Sequence, residues 1–324
     1  MRAIVVRRFG PPETLEIDTV PDPVPQKGQV VIRVKSAGVN PVDTYIRSGT
    51  HAIKPQLPYI PGFDAAGVVE AVGDGVTEYR QGQRVYNAGI VRAGLNGTYA
   101  ELVLCEAAQV YPLPDRVTFQ QGAGVNTPYG TAARALLQRG QPRADDWVLV
   151  HGASGGVGTA SVQISRALGL RVIGTAGTDE GLDLVRRQGA QHALNHRSAG
   201  YLDEVMTITD RHGVDLVLEM LANVNLEKDL TVLAQRGRVC VIGNRGTVEI
   251  DPRKVMTKDA AILGVQYGNT TPDEMRSLHA FIAAGLENGT LTPVVGRELP
   301  LADAAKAHAV VMEPGARGKI VLVQ

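Results

Sequence analysis

From residue 146 onward the chain alternates between two textures. Short runs that are apolar at nearly every position, such as "DWVLVHG", "LRVIGTAG", "VDLVLEM" and "RVCVIGN", are followed by longer stretches that are apolar every third or fourth residue. The first texture marks strands covered on both faces, the second marks amphipathic helices. The pattern predicts strands at 146–152, 170–177, 192–196, 214–220 and 238–244, with a further one inside 259–267. Helices are predicted at 156–169, 179–189, 200–213 and 225–237, and one more, at 127–140 and stopped by Gly140, leads into the series. Right-handed crossovers turn such βα alternation into a doubly wound parallel sheet of the Rossmann kind. Residues 1–125 follow another grammar. Short β-branched runs ("QVVIRVKSAG", "AAGVVEAVG", "TYAELVLCEAA") are punctuated by Gly and Pro, which predicts a β-rich barrel or sandwich-like domain. The tail carries helices at 272–289 and 301–313 and a closing strand at 318–324, expected to rejoin the β-rich part. The expected organisation is therefore α/β and discontinuous, with 1–125 and 267–324 forming one domain and 126–266 the other.

The length of 324 residues exceeds what one core normally serves, in agreement with two domains. Lys+Arg and Asp+Glu both number 33, so no net field draws the protein to nucleic acid or a membrane surface. Two cysteines, Cys105 and Cys240, cannot build a disulfide framework or a four-thiolate zinc site, and they suit a reducing cytoplasm. The opening "MRAIVVRRFGPPET" has too short an apolar run for a secretory leader, and no stretch approaches the roughly 20 apolar residues of a membrane span. A soluble cytoplasmic protein is expected.

The first strand-to-helix turn, "VLVHGASGGVG" at 148–158, admits two chemistries. Gly152-Ala153-Ser154-Gly155-Gly156 is a G-x-S-x-G that could expose a nucleophilic serine, with Asp215 and His308 available downstream. Shifted by one, Ala153-x-Gly155-x-x-Gly158 is a dinucleotide turn with alanine in place of its first glycine. Gly155 would let pyrophosphate approach the backbone, Gly158 would let the helix pack on the strand, and the helix amides would receive the phosphates. The dinucleotide reading is preferred, because the turn opens a repeated βα series and the preceding β-rich half lacks an oxyanion loop. About 20 residues beyond the glycines, an NAD site places an acid on the ribose 2′-OH. Thr175-Ala176-Gly177 stands there instead, so NADPH is expected, with His196 and Arg197 after the third strand as candidate partners of a 2′-phosphate.

Residues 62–73, "GFDAAGVVEAVG", resemble the G-H-E-x-x-G-x-V signature of zinc-dependent medium-chain alcohol dehydrogenases, and "SAGVNPVDTYIRSG" resembles the segment that supplies their cysteine ligand. Asn40 occupies the cysteine position and Phe63 the histidine position. A catalytic zinc needs three N, S or O protein ligands, so no metal is expected. The chain resembles the zinc-free branch of the medium-chain dehydrogenase/reductase superfamily, and within it the zeta-crystallin-type NADPH:quinone oxidoreductases. The likeness runs the full length, through "GVNPVDTYIRSGT", "LVHGASGGVG", "GTAGTDEG", "EMLANVNLEKDL" and "RGTVEIDPR". Gly181 and His196 follow the zeta-crystallin pattern, where some bacterial quinone reductases place a Lys and a Tyr.

This resemblance implies a GroES-like catalytic domain meeting a Rossmann domain at a cleft, and a homodimer or homotetramer associating through the nucleotide domains. It carries NADPH contacts onto Tyr45, Ser154, Gly155, Gly156, Val157, Gly177, His196, Asn225, Ile242, Gly243, Asn244, Val265, Gln266 and Tyr267. Spacing alone leaves Tyr45 as ordinary packing and Asn225 as a helix N-cap. Asn40, Asp43, Tyr45 and Thr131 are candidates to face the substrate, none of them assigned as a proton donor. The implied activity is electron transfer from NADPH to ortho- or para-quinones without metal, and the resemblance hints at one-electron turnover. Two alternatives stand beside it: an NADPH-dependent alkenal/enone reductase on the same fold, and a crystallin-like structural or RNA-binding role. The small cluster Arg134, Arg139 and Arg143 is expected to be ordinary solvated surface rather than an RNA stripe.

Overall fold

A computed structural model describes residues 1–92 and 94–324. It divides the chain into two compact units, one made of Met1–Thr127, Ala283–Pro314 and Gly318–Gln324, the other of Pro128–Ile282 and Gly315–Arg317. The β-rich unit begins with a hairpin-like pair, β1 (Arg2–Val6) and β2 (Leu15–Thr19). Its main run of strands is β3 (Gln29–Val39), β4 (Asp64–Val72), β5 (Arg84–Asn87), β6 (Leu102–Glu106) and β7 (Val110–Pro112). Between β3 and β4 lies helix α1 (Pro41–Ser48), started by Asn40 and Asp43 in a reciprocal capping box with Pro41 at the first helical position, and ended by Gly49 at φ +77.

The second unit opens with α2 (Asn126–Ala133), whose first two residues still belong to the β-rich unit, and α2 continues into a π-wound stretch, Arg134–Gly140. Gly140 is not the residue that stops it. Gln141, at φ +46, takes the left-handed position and donates its amide to Leu136 O, five residues back. Then come β8 (Trp147–Val150), α3 (Gly156–Ala167), β9 (Arg171–Ala176), α4 (Asp179–Arg187), β10 (His192–Asn195), α5 (Tyr201–Ile208), β11 (Val214–Glu219), α6 (Ala222–Val232), β12 (Leu233–Val241) and β13 (Ala261–Gly264). The six strands pair in parallel in the order β10-β9-β8-β11-β12-β13, the doubly wound Rossmann order with its switch point between β8 and β11. Val148, Leu149 and Val150 on β8 and Leu216, Val217 and Leu218 on β11 are wholly buried, as strands with covered faces require.

One boundary differs from the sequence expectation. The helix expected at 225–237 spans Ala222–Val232, and β12 starts at Leu233. Leu233 pairs with Val214, the ladder then slips, and Arg238 pairs with Leu216. Arg236, at φ +62, absorbs the irregularity. The polar residues that suggested a helix end are thus inside a kinked strand.

The chain closes with β14 (Val295–Pro300) and β15 (Lys319–Val323), two parallel strands that extend the β-rich sheet to the order β14-β15-β3-β4-β5-β7. The division between units falls at Ile282–Ala283, inside the helix Pro272–Asn288, rather than at 266–267. Tyr267 explains the difference: its ring packs on Gly130, where an added Cβ would lie 2.4 Å away, and its hydroxyl meets His279 Nε2 at 2.8 Å. The first half of that helix is therefore fastened to the nucleotide-type unit. Among the described residues, no helix is long and apolar enough to cross a membrane.

Candidate active site

In the Rossmann unit, the residues singled out at the glycine turn have separable tasks. Gly152 takes the left-handed position at φ +57, which leaves Ala153 free to stand where the motif has its first glycine. A Cβ on Gly158 would lie 2.2 Å from Gly152 O, so that glycine is required by the protein's own packing. Gly155 is different. A Cβ there would meet nothing closer than 3.5 Å, so the protein's own packing does not require a glycine at this position. Gly155 caps α3 without a side-chain hydrogen bond, and no acid occupies the first turn. The leading amides of Gly156, Val157 and Gly158 therefore present positive dipole ends to a free space.

Ser154 is buried beside this turn. Its proposed hydrolytic partners are engaged elsewhere: Asp215 sits at the opening end of β11, accepting from Trp147 N at 2.8 Å, and His308 Nε2 lies 3.2 Å from the Tyr99 hydroxyl.

Gly177 follows the last residue of β9. A Cβ on it would lie 2.8 Å from His196 Nε2 and 2.9 Å from Arg197 Nε, so a imidazole and a guanidinium converge where an NAD site carries its carboxylate. Ile242, Gly243 and Asn244 follow the end of β12, and Val265, Gln266 and Tyr267 follow the end of β13. Ile242 N and Gly243 N both donate to Glu219 O, and a Cβ on Gly243 would meet Met220 O at 2.2 Å. All these positions lie past the carboxyl ends of parallel strands. Asn225 is not a helix N-cap. It lies within α6, whose N-cap is Leu221, and its amide donates to Glu219 Oε1 at 3.2 Å. Thr131 is buried on α2, and Tyr45, on α1, belongs to the β-rich unit and is half-buried.

Beneath the switch point lies a buried group that sequence patterning did not single out. His151 follows β8, Glu219 ends β11, and Asp229 faces them from α6. His151 Nε2 is 2.8 Å from Asp229 Oδ1 and 3.6 Å from Glu219 Oε2. Burial disfavours the charged imidazole, but the hydrogen bond and the two carboxylates outweigh it and hold His151 above its usual range. Burial and the neighbouring Asp229 in turn push Glu219 up. With the imidazole already bonded to Asp229, the triad is an internal ion network under the turn.

The β-rich unit contains the second functional group of residues. Asp64 is fully buried and accepts five hydrogen bonds. Its Oδ1 takes Asn126 Nδ2 at 3.0 Å, Thr127 N at 3.1 Å and Thr127 Oγ1 at 2.5 Å. Its Oδ2 takes Asn40 Nδ2 and Lys319 Nζ, both at 2.9 Å, and Lys319 Nζ also donates to Asn40 Oδ1 at 2.5 Å. The two positions that resemble zinc-ligand positions thus hold an amide committed to an ammonium and a carboxylate, and the phenyl ring of Phe63. This donor set does not fit a zinc ion, which needs lone pairs from several deprotonated or neutral N, S or O groups.

Next to this network opens a cavity of about 880 Å³. Its walls are largely apolar, with Ile46, Ile53, Phe63, Ile90 and Leu95, and they include Asp43, Tyr59 and Arg92. The Arg92 guanidinium stacks 5.3 Å from the centre of the Phe63 ring. Asp43 is 1% exposed, and burial pushes its carboxyl up to about 7 against the pull of its hydrogen bond from Asn40. The volume suits a flat small molecule. Of the substrate-facing candidates, Asp43 lines this cavity and Asn40 stands behind it. Tyr59, Asp64, Tyr99 and Lys319 were not found by sequence reasoning, and His308 was named only as a possible hydrolase residue. The one available signal was Lys319, a lone charge inside the apolar closing run "GKIVLVQ".

Comparison with known proteins agrees with this architecture. Residues 26–115 match the alcohol dehydrogenase GroES-like domain and residues 156–284 the zinc-binding dehydrogenase family. The chain is similar to a solved NAD-dependent alcohol dehydrogenase (TM-score 0.93, 31% identity, 100% of both chains). It is also similar to the Escherichia coli quinone oxidoreductase solved with NADPH (TM-score 0.89, 27% identity, 100% of both chains). Fold and site together define a medium-chain dehydrogenase/reductase. The Homo sapiens quinone oxidoreductase is 47% identical over 325 residues, covering 100% of this chain and 98% of the relative. Within that superfamily, the chain belongs to the zeta-crystallin-type quinone oxidoreductases.

The buried ion pair yields a stability prediction. Lys319→Met leaves Asp64 buried without its countercharge, and urea unfolding should show a loss of about 3–5 kcal/mol. A loss under about 1 kcal/mol would mean that the neutral donors alone satisfy Asp64.

Proposed function

We infer that the protein is an NADPH-dependent quinone reductase. The observation that carries the cofactor assignment is the pair of glycine positions: Gly155 leaves space that the protein does not use, and Gly177 brings His196 and Arg197 to a site with no carboxylate. The amides at the start of α3 would hold the pyrophosphate, and His196 and Arg197 the 2′-phosphate. Ile242, Gly243, Asn244, Val265 and Gln266 would contribute backbone along the strand ends, with Tyr267 limited to its backbone because its ring is packed. Asn225 and Tyr45 complete the proposed set. When bound, the dihydronicotinamide supplies the reducing equivalents. The protein orients the acceptor, excludes water and controls the proton.

The cavity beside Asp43 supports a quinone as the acceptor. Its apolar walls accept a flat ring, and a quinone is electron-poor enough to need no activated carbonyl. Ortho- and para-quinones are the proposed class. An enone would be reduced at carbon and would require a proton donor aimed at its Cα, a demand that a quinone does not make. A role in the cytoplasm fits Cys105 and Cys240, both buried and unpaired. Self-association as a homodimer or homotetramer is supported by β13, an outer strand of the parallel sheet that leaves Ile262 36% exposed. Nucleic acid is not a proposed partner, because the charge balance offers no basic stripe.

Purified protein should oxidise NADPH in the presence of 1,2-naphthoquinone or 9,10-phenanthrenequinone. Measurable NADPH binding with no turnover of any quinone, but saturation of an enone, would transfer the assignment to the double-bond reductases. Arg197→Ala should weaken NADPH binding about 10-fold and leave NADH binding within about twofold, as expected for one charge-assisted contact to a phosphate. Equal effects on both dinucleotides in calorimetry would place Arg197 outside the 2′-phosphate site.

A further inference from the structure

Fully ionised, the buried triad under the glycine turn would hold more negative charge than its partners offset. One polar side-chain atom from each of His151, Glu219 and Asp229 lies within 4.8 Å of the others, and all three residues are buried. The His151 imidazolium, bonded to Asp229 Oδ1, supplies one positive charge. Two carboxylates would supply two negative ones, and among the described residues no lysine or arginine pairs with any of the three. Glu219 Oε2 and Asp229 Oδ2 are buried and receive no hydrogen bond. A buried net charge is costly, and two carboxyls side by side relieve it by keeping one proton between them. The Asp229 side chain stands where it can accept a hydrogen bond from a protonated Glu219.

We propose that the Glu219–Asp229 pair holds one proton and that NADPH binds preferentially to this protonated form, the two carboxyls acting as positioning residues for the groups that meet the cofactor. The proposal rests on the placement of NADPH at the glycine turn given above. Two paths of hydrogen bonds lead outward from the pair. Glu219 Oε1 accepts from Leu221 N and, at 3.2 Å, from Asn225 Nδ2, so this carboxyl fixes the Asn225 amide. Asp229 holds His151, whose Nδ1 lies 3.4 Å from Thr175 Oγ1, and that oxygen accepts from Gly152 N at 3.3 Å. With the proton in place the triad is neutral as a whole. Without it the two carboxylates repel each other, and the negative charge left under the turn opposes the phosphates of the cofactor. The proton is exchanged with solvent, and no covalent bond of the cofactor changes.

The groups around the pair set the pH range. Burial is the largest influence on Glu219; together with the Asp229 charge, and against the His151 charge, it brings the carboxyl up to about 7. Tyr201, on α5, stands edge-on to His151 with ring centres 6.3 Å apart. Burial and then the two carboxylates push its hydroxyl up to about 12, so it stays neutral. His196, after β10, is held below its usual range by burial and then by the charges of His151 and Arg197, so it brings no charge as pH rises. Bound phosphates disfavour the carboxylate form and raise the pair further. NADPH affinity is therefore full below about 7 and falls as pH rises from there to the higher midpoint of the complex, by at most about tenfold per pH unit.

Calorimetric titration with NADPH in buffers of different ionisation enthalpy reads the proton uptake directly. At about pH 7.5 the wild-type protein should take up about half a proton more than Glu219→Gln, as expected when binding raises the pair by about one unit. Glutamine keeps Oε1 as the acceptor for Leu221 and Asn225 and offers an N–H to Asp229, so it copies the protonated form. The variant should bind NADPH within about threefold of wild type at about pH 6.5, and about three- to tenfold more tightly than wild type at about pH 8.5. Protons taken up by His196 and the 2′-phosphate are common to both proteins and cancel in the difference. Equal uptake by the two proteins, or a wild-type affinity that is the same at both ends of this pH range, overturns the proposal while the cofactor site stands. The second outcome is read on the wild type alone, so the proposal stays falsifiable if Glu219→Gln does not fold. Wild-type protein that binds no NADPH, or Gly155→Val binding it as tightly as wild type, overturns the placement of the cofactor and this proposal with it.

Discussion

The β-rich unit is organised around the charge of Asp64. A carboxylate with no exposure survives in a protein interior only when its lone pairs are fully used and a countercharge is near. Asp64 meets both conditions with four partner residues from three places: Asn40 before α1, Asn126 and Thr127 at the start of α2, and Lys319 at the start of β15. These segments are far apart in sequence, 255 residues in the case of Lys319. The pair therefore fixes where the closing strand enters the sheet and where α1 begins. Because the capping box of α1 is made by Asn40 and Asp43, the same ion pair sets the position of the acid at the end of the cavity.

The Rossmann unit contains a second buried polar group, arranged to a different end. His151, Glu219 and Asp229 sit under the crevice where the strand order reverses. Glu219 reaches beyond the triad: its side chain accepts from Leu221 N and Asn225 Nδ2, and its backbone carbonyl receives Ile242 N and Gly243 N. His151 Nδ1 lies 3.4 Å from Thr175 Oγ1, which also accepts from Gly152 N at 3.3 Å. The loops that follow β8, β11 and β12 are thus referred to one internal network. This lets the glycine turn stay open without being loose. The phosphate-facing amides are held from below, so nothing needs to cap them from above.

What could be read from the sequence follows from how local each cause is. Gly158 and Gly177 were legible because a glycine's reason for being there is carried by the turn in which it sits. The alternation that defines the parallel sheet was legible for the same reason: each strand records its own burial. Asp64 and Lys319 were not, since nothing near either residue says that it has a partner hundreds of positions away. Asp43 was recognised as a candidate, but one of the bonds to its carboxyl comes from Tyr99, in another part of the chain. The start of β12 was misplaced because Gln235, Arg236 and Gly237 are what a helix end and turn would use. In the fold they form a kink in a strand, where Arg236 accepts a left-handed backbone. Asn225 and Tyr267 show the opposite limit. Tyr267 follows the end of β13 and Asn225 lies within α6, and their side chains are committed to His279 and to Glu219, a fact that position alone does not contain.

The arrangement also gives a physical reason for the class of acceptor. A simple ketone is a poor hydride acceptor unless a cation withdraws charge from its oxygen. The buried ammonium of Lys319 has two of its three donors committed to Asn40 and Asp64, and its charge is cancelled by the latter. It cannot serve as an electrophile without breaking the pair that positions α1. An acceptor that is already electron-poor does not need that help.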